Sequence, residues 1–92
     1  MLRACILLRM ATKLLVVDDD PDLRALARIQ LGDGGFDVIQ AANGQECLAL
    51  ASTHSPDVIL LDIMMPGMNG FEVCEALKRE HSTARIPVVF VT

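Results

Sequence analysis

A doubly wound α/β fold on a parallel sheet of strand order 2-1-3-4 is predicted by three observations on this chain of 92 residues. Four short apolar runs, Leu14 to Val17, Val38 to Ala41, Val58 to Leu61 and Val88 to Val91, alternate with helical patterns. That alternation is the signature of βαβ units. The first and third runs are apolar throughout, as strands buried on both faces are. Both also end in aspartate, at Asp18-Asp19-Asp20 and at Asp62, and open α/β sheets bind ligands at the carboxyl ends of their strands. If the chain returns past its first strand after the second, the switch point falls between strands one and three, beside both acidic ends.

Each element carries its own marks. The first helix, Asp22 to about Leu31, follows Asp20 as N-cap and Pro21 at the first helical position, where a missing N–H costs nothing. Its stripe Leu23, Leu26 and Ala27 is expected to face the core, and Asp33-Gly34-Gly35 supplies the turn to the second strand. The second helix runs from Gln45 to about Ser52 after Asn43 and ends at the turn Ser55-Pro56. A third helix is expected from Phe71 to about Glu80, after Asn69. Both Asn caps have a glutamate three residues on, Glu46 and Glu72, a variant of the capping box. Val73, Leu77, Phe71 and Cys74 form the apolar side of the third helix, opposite Glu75, Arg79 and Glu80. Pro87 opens the last strand, where proline is tolerated.

Composition narrows the function classes. The net charge is −4 with eight scattered basic residues, which argues against direct nucleic-acid binding, since that needs a Lys/Arg patch. Mean hydropathy is +0.42, yet no apolar run approaches the roughly 18 residues that read as a membrane span, so no membrane partner is expected. Cys5, Cys47 and Cys74 are odd in number and widely spaced, which suggests neither a zinc site nor a disulfide framework and fits a cytoplasmic location. The stretch Ala4 to Leu8 is too short for a secretory signal. Residues 1–12 are read as an N-terminal extension, with Met10 a candidate start, and 13–92 as the domain.

Asp18 and Asp19 at the end of the first strand lie beside Asp62 at the end of the third in this topology. Carboxylates so close repel one another unless a divalent cation compensates their charge. Oxygen-only ligands select a hard cation such as Mg²⁺, which keeps waters and leaves room for phosphate. Asp20 is read as a cap rather than a ligand. Met64, Met65 and Met68 are read as packing residues rather than soft-metal ligands, and His54 and His81 as residues flanking helix C-termini, where the dipole favours a cationic side chain, with no catalytic role.

Leu15-Val16-Val17-Asp18-Asp19-Asp20-Pro21, Leu60-Leu61-Asp62-Ile63-Met64-Met65-Pro66-Gly67-Met68-Asn69-Gly70 and Ile86-Pro87-Val88-Val89-Phe90-Val91-Thr92 together resemble the receiver domain of two-component response regulators, from Lys13 to Thr92. The resemblance implies a flavodoxin-like fold and a signalling domain rather than an enzyme. It makes Asp62 the phosphoacceptor, charged from the phosphohistidine of a sensor histidine kinase or a phosphotransfer protein. It gives Asp18, Asp19, Asp62 and the backbone carbonyl of Met64 to Mg²⁺. Thr92 donates its hydroxyl to the phosphoryl group, and Pro66, Gly67 and Gly70 shape the loop over the site.

A receiver of this family continues past the threonine with a helix, a fifth strand and a last helix, so the chain reads as C-terminally truncated. The family also places a lysine at that fifth strand, and neither Lys13 nor Lys78 matches it. Self-association is therefore expected through the exposed sheet edge or the uncovered face, with Ala4 to Leu8 shielding apolar surface. The competing reading is a phosphorylation-incompetent receiver remnant that serves as an oligomerisation or protein-interaction module. A phosphatase with an aspartate nucleophile is a minor third, because such enzymes carry Asp-x-Asp after the first strand.

Overall fold

Residues 12–91 are described by a computed structural model. Lys13–Val17 forms β1, whose residues from Leu14 onward are buried, as an apolar run flanked on both sides must be. It is one of the two inner strands of a parallel sheet ordered β2-β1-β3-β4, with β2 at Asp37–Ala41, β3 at Val58–Asp62 and β4 at Val88–Val91. Three helices connect them: α1 at Pro21–Asp33, α2 at Gly44–His54 and α3 at Gly70–Arg79. The predicted architecture and order are those observed, and each predicted helix and strand is present with ends moved by at most two residues.

The caps explain those ends. Asp20 accepts from the Asp22 N–H and Pro21 opens α1. Asn69 and Glu72 form a complete reciprocal box at the start of α3. At α2 the pattern differs: Asn43 accepts from the Glu46 N–H, while the Glu46 carboxylate reaches the Ala42 N–H at 2.7 Å instead of that of Asn43. The glutamate thus binds the amide that precedes the N-cap, and the box at α2 is not reciprocal. Ser55 closes α2 in the left-handed conformation, with φ of 48°.

Alternation along the strands builds the core on one face. Leu15, Val17, Ile59 and Leu61 point to α2 and α3 and pack with Cys47, Ala51, Val73 and Leu77. Met65 is buried in this cluster and Met68 packs against it, so the loop methionines fill gaps as expected, whereas Met64 is 80% exposed. Burying one Leu or Ile of this set contributes about 1.5–3 kcal/mol.

The other face corrects an expectation. Leu23 and Leu26 were predicted to be core, but they are 52% and 49% exposed, and α1 has no buried residue. On this face the described residues supply α1 alone, which covers β1 and β2, so its apolar stripe is touched from one side only. Phe71 likewise leaves the core and packs tilted against Phe90 of β4, ring centroids 5.1 Å apart and planes inclined at 53°. None of the helices is long and apolar enough to cross a membrane among the described residues.

Candidate functional site

Sheet register puts the acidic strand ends together. Val17 of β1 pairs with Leu61 of β3, so the next residue on each strand, Asp18 and Asp62, lies at the same height. The Asp18 N–H continues the ladder to the Ala41 carbonyl at 3.2 Å, which holds Asp18 in the sheet before the chain turns into α1. Asp19 follows at the exposed bend. Carboxylate oxygens of Asp18, Asp19 and Asp62 all lie within 4.8 Å of one another. Asp20 is drawn off into its capping role.

Backbone amides fix two of these side chains. Asp18 Oδ1 accepts from the Asp20 N–H at 2.9 Å, and Asp62 Oδ1 accepts from the Met64 N–H at 3.1 Å. Partial burial pushes the Asp18 carboxyl above its ordinary pKa; the Asp20 amide opposes that shift, and the charges of Asp62, Asp19 and Asp20 reinforce it. The ionised cluster is therefore under electrostatic load. Among the described residues the ion pair is Glu75 with Arg79, on the far helix, so no basic side chain forms a salt bridge with the cluster. Three converging hard oxygen donors with uncompensated charge fit a small divalent cation such as Mg²⁺.

The loop after Asp62 folds back tightly over β3. Gly67 has φ of +79°, a conformation that favours glycine. The Gly70 N–H donates to the Ile63 carbonyl at 3.0 Å. A Cβ on Gly70 would lie 2.8 Å from Ile63 Cα, so the start of α3 approaches the strand end more closely than any side chain permits. A groove of about 330 Å³ opens from Asp18 and Asp62 along Val16, Leu60, Leu26 and Val91.

Of the residues singled out from the sequence, Asp18, Asp19 and Asp62 are brought together. Met64 contributes its N–H to Asp62, and its side chain is exposed. Thr92, residues 1–11 with Cys5, Met10 and the Ala4 to Leu8 segment lie outside the described residues; Val91, which precedes Thr92, pairs with Asp62. Cys47 is a buried core thiol, pushed up to about 12 by desolvation. Sequence reasoning missed Arg24, whose guanidinium donates to the Asp18 carbonyl at 2.6 Å. It also missed Lys78, which ties α3 to the carbonyls of Ala84 and Ile86. A basic residue interrupting the apolar stripe between Leu23 and Ala27 was the available signal for the first.

The family described as response regulator receiver domain matches residues 14–92. The chain is 45% identical over 80 residues to the DNA-binding dual master transcriptional regulator RpaA of Synechocystis, covering 87% of this chain and 33% of that protein. It is 41% identical over 80 residues to protein PilH of Pseudomonas aeruginosa, covering 87% of this chain and 66% of that one. Response regulator PleD of Caulobacter vibrioides is matched over 18% of its length, so the chain spans only part of these relatives. Among solved structures, the N-terminal domain of a response regulator receiver protein from Methanoculleus marisnigri superposes with a TM-score of 0.85 at 41% identity, covering 87% of this chain and 65% of that one. The chemotaxis protein CheY4 of Vibrio cholerae gives 0.82 at 37% identity, covering 86% and 66%.

Proposed function

The chain belongs to the response regulator receiver domain family, and from that premise we propose that it is a phosphorelay signal receiver that accepts a phosphoryl group on Asp62. The observation that carries the reading is the convergence of the Asp18, Asp19 and Asp62 carboxylates within 4.8 Å at the switch point of the sheet. Asp18, Asp19 and Asp62, with the Met64 carbonyl, would hold Mg²⁺. When bound, that ion offsets charge on the phosphoryl oxygens, in a reaction whose catalysis is mostly positioning and electrostatics.

The chain's own part is to present a nucleophile. The Met64 N–H holds one oxygen of Asp62 and so fixes the orientation of the carboxylate. A carboxylate oxygen of Asp62 forms a bond to phosphorus as the P–N bond of a donor phosphohistidine breaks, and the electron pair of that bond stays on the imidazole. The product is an acyl phosphate on Asp62, with Thr92 as hydrogen-bond donor to it. The donor is a sensor histidine kinase or a phosphotransfer protein, and the role is signalling rather than turnover, in the cytoplasm. Incubation with Mg²⁺ and a small acyl phosphate, read by intact mass, tests this. One alkali-labile phosphoryl group on the wild type and none on Asp62→Asn supports it; no gain on the wild type contradicts it.

A second reading rests on a separate observation. Leu23, Leu26 and Ile29 of α1 and Val89, Phe90 and Val91 of β4 are all exposed apolar residues, and β4 is an edge strand among the described residues. Exposed strand edges and apolar patches pair with other chains, so self-association through these surfaces is the interaction-module alternative. A folded, monodisperse monomer in size-exclusion chromatography with light scattering contradicts it.

A further inference from the structure

Along α1 the half-buried positions are Arg24, Ala27 and Leu31, while their neighbours on the helix are exposed. Spacings of three and then four residues put these three on one face, the face turned to the sheet. An arginine at the first of them occupies a place where the amphipathic pattern calls for an apolar side chain. Its stem can cover sheet surface while its head finds a polar partner. That partner is not a carboxylate: among the described residues the ion pair is Glu75 with Arg79. Arg24 Nη1 donates instead to the backbone carbonyl of Asp18, in a part-buried bond of 2.6 Å.

Asp18 is thereby held from three directions. Its N–H is fixed on β2 through Ala41, its side-chain oxygen takes the Asp20 N–H, and its carbonyl is held by Arg24. Arg24 supplies the side chain that couples α1 to this turn, six residues away in sequence. Without it, a strand-end carbonyl beside three mutually repelling carboxylates loses its donor, and the peptide plane between Asp18 and Asp19 is free to rotate.

We propose that Arg24 is a positioning residue for the acidic site: by holding the Asp18 carbonyl it fixes the turn in which the Asp18 and Asp19 carboxylates converge with Asp62, and so sets the affinity for Mg²⁺. This rests on the metal reading given above. Groups that orient metal ligands change affinity about 10- to 100-fold when removed, and an effect in that range is expected here.

The test uses Arg24→Met, which keeps an apolar stem without a donor, and Arg24→Lys, which restores one. Three quantities are read: Mg²⁺ affinity by calorimetry, the metal-free melting temperature, and the NMR shift and exchange rate of the Asp20 amide in metal-free protein. Arg24→Met is expected to weaken Mg²⁺ binding about 10-fold or more, to stay folded at the temperature of the binding measurement with a metal-free melting temperature lowered by the loss of one hydrogen bond, and to disturb the Asp20 amide, with Arg24→Lys recovering part of the affinity. Wild-type affinity in folded Arg24→Met overturns the proposal, as does weakened affinity with an undisturbed Asp20 amide. If Arg24→Met does not fold, Arg24→Leu, which also lacks a donor, takes its place in the same comparison. If the wild type takes up no Mg²⁺, the metal reading fails by itself, and the Asp20 amide decides for Arg24: disturbed, the positioning role stands; undisturbed, it falls.

Discussion

A Cβ on Gly70 would lie 2.7 Å from the carbonyl oxygen of Asp62, so the first residue of α3 packs its bare α-carbon against the backbone of the proposed phosphoacceptor. The neighbouring atoms are backbone on both Asp62 and Ile63, and neither can swing aside as a flexible side chain would. Gly70→Ala is expected to cost about 1–3 kcal/mol, as other overpacked sites do, and to displace Asp62 while doing so. Urea denaturation checks the first part; the initial rate of phosphoryl uptake, compared at matched folded fraction, checks the second.

The caps of α3 and α2 differ in a way that mutation separates. Asn69→Ala is expected to lower stability by about 1 kcal/mol, because the Glu72 N–H loses its acceptor. Glu72→Ala leaves the Asn69 N–H without its acceptor, whereas Glu46→Ala leaves that of Ala42. Shifts in denaturation midpoint at constant slope measure these losses.

Asp18 gives a pH dependence with a definite sign. Its carboxyl is raised in the folded protein above the ordinary value of 3.8, so between the two values the folded state binds more protons than the unfolded state. Stability therefore falls as pH rises through that window, and above it ionised Asp18 remains a fixed penalty. Asp18→Asn, which keeps an oxygen acceptor for the Asp20 amide, is expected to melt higher than the wild type at neutral pH in chelator. That gap should close below the ordinary value, and at neutral pH added Mg²⁺ should reverse the order. Paired melting curves across pH, with and without Mg²⁺, measure it.

The two described thiols should differ in reactivity. Cys47 is fully buried with its thiol held up to about 12, whereas Cys74 is only half-buried. Thiolate is the reacting species, so a water-soluble alkylating reagent is expected to modify Cys74 under native conditions and Cys47 only after denaturation. Peptide mapping by mass spectrometry reads both sites.

The fold was legible because its signals are local and agree with one another. Apolar runs, the Asp20-Pro21 start and the Asn69 to Glu72 box each mark an element end, and the strand order then brings Asp18 and Asp62 to one place. What sequence did not reveal is what depends on partners across space. Leu23 and Leu26 have the spacing of a core stripe, but spacing does not say whether a second layer covers it, and they are half exposed. Arg24 interrupts the apolar stripe of its helix, but the pattern does not say what it binds, because its partner is a backbone carbonyl with no residue identity. Glu46 shows the same limit: the Asn-x-x-Glu pattern predicts a reciprocal box, and the carboxylate chose the amide one residue earlier.

The central claim, that Asp62 is the acceptor, is tested most directly by locating the acyl phosphate. The protein is incubated with Mg²⁺ and a small acyl phosphate, reduced with borohydride, which converts an aspartyl phosphate to homoserine, and mapped by tandem mass spectrometry. The account predicts homoserine at position 62 alone, lost when a chelator replaces Mg²⁺. Homoserine at position 18 or 19, or none in the folded wild-type protein, would contradict it.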